Sequence, residues 1–226
     1  TQIDKDLYPK YALELLLKQP NLTLINGTVD EIIVEKGKIA GIKTKSNEHL
    51  QAKAVILCAG TFLNGKMFTG LEVTYGGRYG EPASDRVSEL LAAHGLEKGR
   101  LKTGTPPRVH AKSIDYSKTE LAGGDEPPEP FSFRTQRVKN RLMCFSTSTN
   151  EHTHEILRTG FSRSPMFTGR IEGVGPRYCP SIEDKIDRFA ERQSHKILLE
   201  PEGLRTDSVY VNGFSTSLPK DVQEKG

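Results

Sequence analysis

The sequence predicts a mixed α/β fold on three observations. Apolar residues recur at four-residue spacing over residues 3–15, which is typical of a helix. Short β-prone runs alternate with tight-turn signals between residues 22 and 45, which indicates an antiparallel meander. Residues 54–59 (AVILCA) are apolar at every position, as in a strand that is buried on both faces at the centre of a parallel sheet.

Composition narrows the class of protein. The 226 residues include 32 Lys and Arg against 29 Asp and Glu, and the net charge of +3 allows a nucleic-acid partner without indicating one. No apolar stretch approaches the roughly 18–20 residues of a membrane span and no secretory leader is present, so we expect a soluble intracellular protein with no membrane contact. The three cysteines form no Cys-x-x-Cys pair, which excludes a four-thiolate zinc site and favours a reducing compartment.

The first hundred residues divide into a helix, a meander, the apolar strand and a second helix. Pro20 ends the first helix, and Gly60 ends the apolar strand. The predicted meander strands are 22–25, 29–35 and 39–45, with turns at Asn26-Gly27, Lys36-Gly37 and Asn47. The second helix begins near Ser84, has an apolar face of Val87, Leu90 and Leu91, and ends at Gly95.

Beyond residue 100 the predicted elements are fewer. Residues 102–130 are rich in Pro, Gly and charge, which predicts an irregular, exposed segment. Residues 142–149 are predicted to form a strand. The last predicted helix begins at its N-cap Ser181, with Ile182, Ile186, Phe189 and Ala190 on one face.

Two Gly-containing segments are candidate ligand sites. Gly60 follows the apolar strand, where ligands of open α/β sheets lie, and a glycine there lets a flat cofactor touch the main chain; a plain chain turn is the alternative. Residues 173–181 (GVGPRYCPS) lack the third glycine and the preceding strand of a dinucleotide fingerprint. The helix start after them, helped by Arg177, nevertheless predicts N–H groups that attract a phosphate.

Cys179 is the candidate nucleophile. The helix start and Arg177 both favour its thiolate form, whereas Glu183 and Asp184 oppose it. A small buried structural cysteine is the alternative, although the polar, Pro-flanked surroundings argue against a core position.

Other polar residues are weaker candidates. His152 and His154, on a predicted strand or loop, would share a face, but no third ligand is evident, so we interpret them as surface residues and predict no metal site. Two basic clusters are candidates for phosphate contacts. They are Arg100, Lys102 and Arg108 in a Gly/Pro loop, and Arg134, Arg137 and Arg141 before the strand at 142–149.

Seven segments, in order, resemble one protein family. They are 59–66 (AGTFLNGK), 76–78 (GGR), 99–108 (GRLKTGTPPR), 163–166 (RSPM), 172–185 (EGVGPRYCPSIEDK), 199–204 (LEPEGL) and 212–219 (NGFSTSLP). The family is MnmG, also called GidA, the flavoproteins that modify the wobble uridine of bacterial tRNA. The chain resembles the middle portion of these proteins.

The resemblance implies a cytoplasmic, homodimeric enzyme that binds FAD, uses NADH and acts with the GTPase MnmE. Together they add a carboxymethylaminomethyl or aminomethyl group to C5 of the wobble uridine, with methylenetetrahydrofolate as the carbon donor. Cys179 matches a family cysteine thought to be catalytic, which we interpret as adding to C6 of the uridine and so activating C5.

The resemblance also implies the cofactor contacts. Val29 and Ser84 correspond to FAD contacts, and Gly60 fits the strand-end glycine of flavoproteins. The NADH segment runs from residue 175 to residue 189. It comprises Gly175, Pro176, Arg177, Tyr178, Cys179, Pro180, Ser181, Ile182, Glu183, Asp184, Lys185, Ile186, Asp187, Arg188 and Phe189.

In domain terms, the resemblance implies a partial Rossmann-type FAD-binding domain over residues 1–108. An inserted α/β dinucleotide-binding domain follows over residues 109–226. Because the family's Gly-rich FAD fingerprint, its second cysteine and its helical tail are absent from this sequence, we expect the chain alone to bind FAD poorly and to be inactive. The alternatives are a related folate- and FAD-dependent tRNA uridine methyltransferase, or a non-catalytic RNA- or nucleotide-binding fragment in which Cys179 is structural.

Overall fold

A computed structural model describes residues 2–173 and 180–226, which divide into two compact units. The smaller unit is Thr23–Arg100, and the larger unit comprises Thr1–Leu22 and Leu101–Gly226. The predicted boundary at residue 108 separates domains by cofactor and stays a prediction.

The smaller unit contains the predicted antiparallel meander. Its strands are β1 (Val29–Glu35), β2 (Lys38–Thr44) and β3 (His49–Gln51), hydrogen-bonded in that order. Lys36 and Gly37 both have positive φ angles, of 50° and 76°, as the two-residue turn between twisted strands requires. A hairpin of β4 (Lys66–Thr69) and β5 (Glu72–Tyr75) follows, and then helix α2 (Arg86–Ala93), which packs against β1.

Two strands predicted from the sequence are wrong for this structure. Residues 22–25 and 54–59 form no strand with any described residue, and the Ile56 side chain is 88% exposed. A strand buried on both faces needs a hydrogen-bonded neighbour and an apolar cover on each face. The described residues provide neither for the 54–59 segment.

The larger unit is built on a five-stranded antiparallel sheet. The strands in chain order are β6 (Arg108–His110), β7 (Glu120–Ala122), β8 (Cys144–Ser148), β9 (Lys196–Pro201) and β10 (Ser208–Asn212). In the sheet their order is β6-β10-β9-β8-β7. The strand predicted over 142–149 is confirmed as β8, whereas the segment 102–130, predicted to be irregular, provides both edge strands.

The larger unit also contains the remaining helices. They are α1 (Leu7–Leu17), α3 (Glu151–Arg158), α4 (Ile182–Arg188) and α5 (Lys220–Gln223), with single 3-10 turns at Ala111–Ser113, Tyr116–Lys118 and Phe161–Arg163. No helix within residues 2–173 and 180–226 is long and apolar enough to cross a membrane.

The predicted helices α1, α2 and α4 are confirmed, but their packing differs from what periodicity indicates. Every residue of α1 is at least partly exposed. In α4, Ile182 and Ile186 are buried as predicted, whereas Phe189 and Ala190 lie beyond the last helical turn and are exposed. The core of this unit joins α3, α4, β9, β10 and α5. It consists of Leu157, Ile182, Ile186, Ile197, Leu199, Val209, Phe214, Leu218 and Val222.

Candidate functional site

Helix α4 is fixed at its start by hydrogen bonds within the protein. The Ser181 hydroxyl caps it by accepting from the Asp184 N–H at 3.3 Å. The Ile182 N–H donates to the Ser215 carbonyl at 2.7 Å. Two N–H groups expected to attract a phosphate therefore already donate to protein acceptors, while Ile182 and Ile186 anchor the helix in the core.

The loop of residues 213–218 is attached to α4 by two further side chains. Glu183, fully buried, accepts from both the N–H and the hydroxyl of Ser217, each at 2.9 Å. Lys185 Nζ donates to the Gly213 carbonyl at 2.9 Å. Sequence reasoning missed Ser217; the polar run FSTS within the 212–219 motif is the signal that could have identified this loop as a partner of α4.

A cleft of about 430 Å³ lies beside α4 and is the candidate ligand site. Its lining residues are Lys102, Met166, Phe167, Ile171, Gly173, Asp184, Asp187 and Arg188. Asp184 and Arg188 pair across one helical turn at 2.8 Å. Lys102 Nζ lies 3.1 Å from Met166 Sδ, and a thioether is a weak acceptor for an ammonium group. The cleft therefore offers a cation suited to an anionic ligand.

The predicted NADH residues divide between the two sides of α4. Asp184, Asp187 and Arg188 line the cleft, whereas Ile182, Glu183 and Ile186 face the core or the 213–218 loop. Ser181 is the N-cap and Pro180 is half-buried just before it. Gly175, Pro176, Arg177, Tyr178 and the candidate nucleophile Cys179 lie outside the described residues, directly after Gly173 at the edge of the cleft.

In the smaller unit, Gly60 and Ser84 belong to one hydrogen-bonded loop cluster. Gly60 has φ +53°, and a Cβ there would meet only the Phe62 ring, at 3.9 Å, so its backbone stands open to close approach. The Ser84 N–H donates to the Phe62 carbonyl at 2.8 Å, and the Ser84 carbonyl accepts from the Asn64 N–H at 3.3 Å. The structure thus brings the glycine loop and Ser84 together.

Val29 lies on an element that contacts this cluster's helix. It begins β1 opposite Thr44, half-buried. The helix that follows Ser84, α2, packs against β1, where Arg86 Nε lies 3.3 Å from Asp30 Oδ2. The three residues implied as FAD contacts therefore occupy neighbouring elements of one unit.

The first basic cluster separates into residues with different environments. Arg100 donates to the Asn64 carbonyl at 2.9 Å. Arg108 lies 3.2 Å from Glu202 and stacks over the Tyr210 ring at 4.7 Å. Burial opposes the ionisation of Glu202, but hydrogen bonds from Ser208 and Lys5 and the charge of Arg108 outweigh it and lower the pKa of Glu202. Of the three, Lys102 is the one that lines the cleft.

The histidine prediction is wrong in one respect. His152 and His154 lie on helix α3, capped by Asn150, so they do not share a strand face. His154 is buried and its Nε2 lies 2.8 Å from the Thr149 hydroxyl, which also accepts from the His195 N–H at 2.9 Å. Within the described part of the chain, no group of three or more His, Cys, Asp or Glu side chains is placed to hold a metal ion.

The two buried histidines close the ends of the chain between β8 and β9. The Thr149 N–H donates to the His195 carbonyl at 3.0 Å, and the His154 and His195 rings lie 5.4 Å apart. Burial lowers the pKa of both histidines; nearby positive charge lowers them further, from Arg158 at His154 and from His154, Lys185 and Arg192 at His195. The segment that contains the cleft thus begins and ends at one buried polar cluster.

Comparison with known proteins gives the family. The family model described as "Glucose inhibited division protein A" matches residues 1–226. The chain belongs to the GidA family. The solved GidA of Aquifex aeolicus superposes on it with a TM-score of 0.89 at 42% identity, covering 98% of this chain and 38% of that protein. This match agrees with the mixed α/β architecture.

Relatives named as tRNA-modifying enzymes are similar over nearly the whole chain. The "tRNA uridine 5-carboxymethylaminomethyl modification enzyme MnmG" of Chlorobium phaeobacteroides is 50% identical over 225 residues, which is 98% of this chain and 36% of the relative. The protein of the same name from Thermodesulfovibrio yellowstonii is 51% identical over 223 residues, with the same coverage. The chain therefore spans about a third of the length of these GidA relatives.

Proposed function

We propose that this chain is the middle portion of a GidA enzyme that modifies uridine in tRNA. The observation that carries the proposal is the identity of about half of all residues, over nearly the whole chain, to proteins named for that modification. The product is a carboxymethylaminomethyl or aminomethyl group at C5 of the wobble uridine. The enzyme works in the cytoplasm as a homodimer with the GTPase MnmE, and methylenetetrahydrofolate donates the carbon unit.

FAD is the proposed flavin cofactor, and the smaller unit would form part of its Rossmann-type domain. The cluster around Gly60 and Ser84 fits such a group, because the open backbone at Gly60 allows a flat ring or ribose to approach. Val29, Gly60 and Ser84 are the residues that would hold it. FAD, when bound, supplies the redox chemistry; the chain's own residues position it.

NADH is proposed to bind along residues 175–189 and in the cleft beside α4. Lys102 supports this assignment, since its ammonium group faces the cleft with only a thioether beside it. The two hydrogen bonds between Glu183 and Ser217 keep α4 in place, so Asp184, Asp187 and Arg188 are presented to the cleft from a fixed helix.

Cys179 is proposed as the catalytic nucleophile toward the uridine. Its thiolate sulfur forms a bond to C6, and the electron pair of the C5–C6 double bond moves to C5, which becomes the nucleophilic carbon. When the modification is complete, loss of the C5 proton and of the sulfur restores the double bond. No group on the cofactors takes part in holding the base in this step.

The experiment that tests the proposal is nucleoside analysis of tRNA from cells in which the full-length protein has been replaced by its Cys179→Ala variant. We expect the C5 modification to be lost while FAD remains bound. A matched Cys144→Ala variant, at the half-buried thiol of β8, should keep the modification. Unmodified tRNA in cells with the unaltered protein, or full modification by Cys179→Ala, would contradict the function or the nucleophile, respectively.

A further inference from the structure

The connection between β7 and β8 is the longest irregular loop within one hairpin of the described sheet. Ala122 pairs with Cys144, so residues 123–143 leave and re-enter the sheet at one point. Asn140 Nδ2 donates to the Asp125 carbonyl at 3.1 Å and joins the two limbs above the strands. Loops of this length without regular structure in a folded domain are commonly functional.

The tip of this loop presents two aromatic rings to solvent. Phe131 is 85% exposed and Phe133 is as exposed as in an extended chain, at 110%. A local turn holds the tip, because the Thr135 N–H donates to the Ser132 carbonyl at 3.0 Å and the Arg134 N–H donates to the Ser132 hydroxyl at 3.2 Å. The rings are therefore carried on a defined turn and are not covered by any described residue.

The returning limb of the loop is basic. Residues 130–143 contain four cations and no carboxylate, while the acidic residues Asp125, Glu126 and Glu129 lie on the outgoing limb. The four cations are Arg134, Arg137, Lys139 and Arg141. All four are exposed, and none lies within ion-pair distance of a carboxylate among residues 2–173 and 180–226.

We infer that the 123–143 loop is a binding surface for single-stranded RNA, with Phe131 and Phe133 stacking on unpaired bases and the following cations contacting phosphates. The inference rests on the proposed function, because a tRNA substrate supplies such a loop. Exposed aromatic rings interleaved with cations fit unstacked bases and their backbone, whereas a duplex keeps its bases stacked on one another. Arg100 and Arg108, the other basic candidates, are already held by Asn64 and Glu202.

The sequence contains no Trp, so a Phe133→Trp variant has a single reporter at the loop tip. We expect its fluorescence to be quenched when the chain is titrated with an RNA stem that carries an unpaired loop. The same stem closed into a continuous duplex should give little quenching. A probe with Trp in place of the exposed Tyr11 of α1 should show no change with either RNA.

Substitutions separate the two kinds of contact. Phe131→Ala and Phe133→Ala should each weaken stem-loop binding by about tenfold, and Phe→Leu at both positions should not restore it, because leucine cannot stack on a base. Arg134→Gln with Arg137→Gln should lower the dependence of log affinity on log salt by about two, one for each lost phosphate contact. Tyr11→Ala and Lys36→Gln, at exposed positions outside the loop, should match the unaltered chain.

The outcomes distinguish this inference from the proposed function. Unaltered RNA affinity and salt dependence in the Phe131 and Phe133 alanine variants would overturn the RNA surface, even if the full-length protein modifies tRNA. Recovery of binding by the leucine variants, or a loss of self-association on gel filtration, would show that the loop contacts protein instead. Binding through the loop without any uridine modification in cells would leave the RNA surface standing and contradict the proposed enzyme function.

Discussion

Glu183 and Ser217 are joined by two hydrogen bonds, in which one carboxylate oxygen accepts from both the N–H and the hydroxyl of the serine at 2.9 Å. Glu183 lies in the first turn of α4 and is fully buried, and its other oxygen has no partner among the described residues. The pair fixes the position of α4 relative to the 213–218 loop. It is the contact on which the shape of the cleft depends.

Replacing Glu183 should therefore lower stability in a graded way. Glu183→Ala leaves both Ser217 donors without an acceptor and should cost about 2–3 kcal/mol of unfolding free energy. Glu183→Gln keeps an accepting oxygen and should cost less than about 1 kcal/mol. Urea unfolding followed by circular dichroism measures both, with Asp187→Ala on the exposed side of α4 as the control. Equal losses for alanine and glutamine would contradict the hydrogen-bond interpretation.

The buried histidines should make the chain less stable in mild acid. Because burial lowers the folded pKa of His154 and His195 below the unfolded value of about 6.5, the unfolded chain takes up protons first as the pH falls. The unfolding free energy should then decrease between about pH 7.5 and 5.5. In His154→Gln the decrease should be smaller by roughly 1 kcal/mol.

His152→Gln is the control for this pH dependence, since His152 lies on the same helix but is exposed. Its unfolding free energy should follow the same pH profile as the unaltered chain. An identical profile for His154→Gln would mean that other groups cause the acid sensitivity.

Two glycines with left-handed backbone should respond differently to alanine. Gly213 has φ +94°, and a Cβ would lie 2.8 Å from the Lys196 carbonyl oxygen, so Gly213→Ala forces the backbone to move and should cost about 3 kcal/mol or more. Gly169 has φ +70° with nothing within 4 Å, so Gly169→Ala should cost only the conformational strain, about 1–2 kcal/mol. Thermal unfolding of the two variants compares them directly. A smaller loss at Gly213 than at Gly169 would be inconsistent with the close approach.

Lys102 and Arg108 should separate ligand binding from stability. Lys102→Met removes the cleft's ammonium group at nearly constant length and should weaken NADH binding to the full-length protein by about tenfold, with little change in melting temperature. Arg108→Met breaks the pair with Glu202 and the stacking on Tyr210, and should lower the melting temperature with the affinity retained. Calorimetric titration gives the affinities. The reverse pattern would place the anion site elsewhere.

Local signals in the sequence were sufficient for the elements that are stabilised locally. The Lys36-Gly37 turn and its flanking strands, helix α2 before Gly95, and the Ser181 cap of α4 were all predicted and confirmed. In each, the deciding interaction connects residues close in the chain. A positive φ or a capping hydroxyl is visible in the residue type alone.

Long-range pairing explains the failures. Strands β6, β9 and β10 have neighbours distant in sequence, and the edge strand β6 lies within a Pro- and Gly-rich segment whose composition indicates a loop. The apolar run 54–59 has the opposite problem, since its composition predicts a buried strand that no described residue pairs with. The Glu183–Ser217 pair was also missed, because an acidic residue in the first turn of a helix is already explained by the helix dipole.

The hydrogen bond between the Thr149 N–H and the His195 carbonyl has a consequence for how this protein can be rebuilt. Ser148 and Lys196 are paired neighbours in the sheet, so everything from Thr149 to His195 enters and leaves through one doorway between β8 and β9. Such a stretch is a cassette: exchanging it for the corresponding stretch of a relative leaves the sheet's register untouched. A chimera joined at these two residues would transplant the helix, the cleft and Cys179 together.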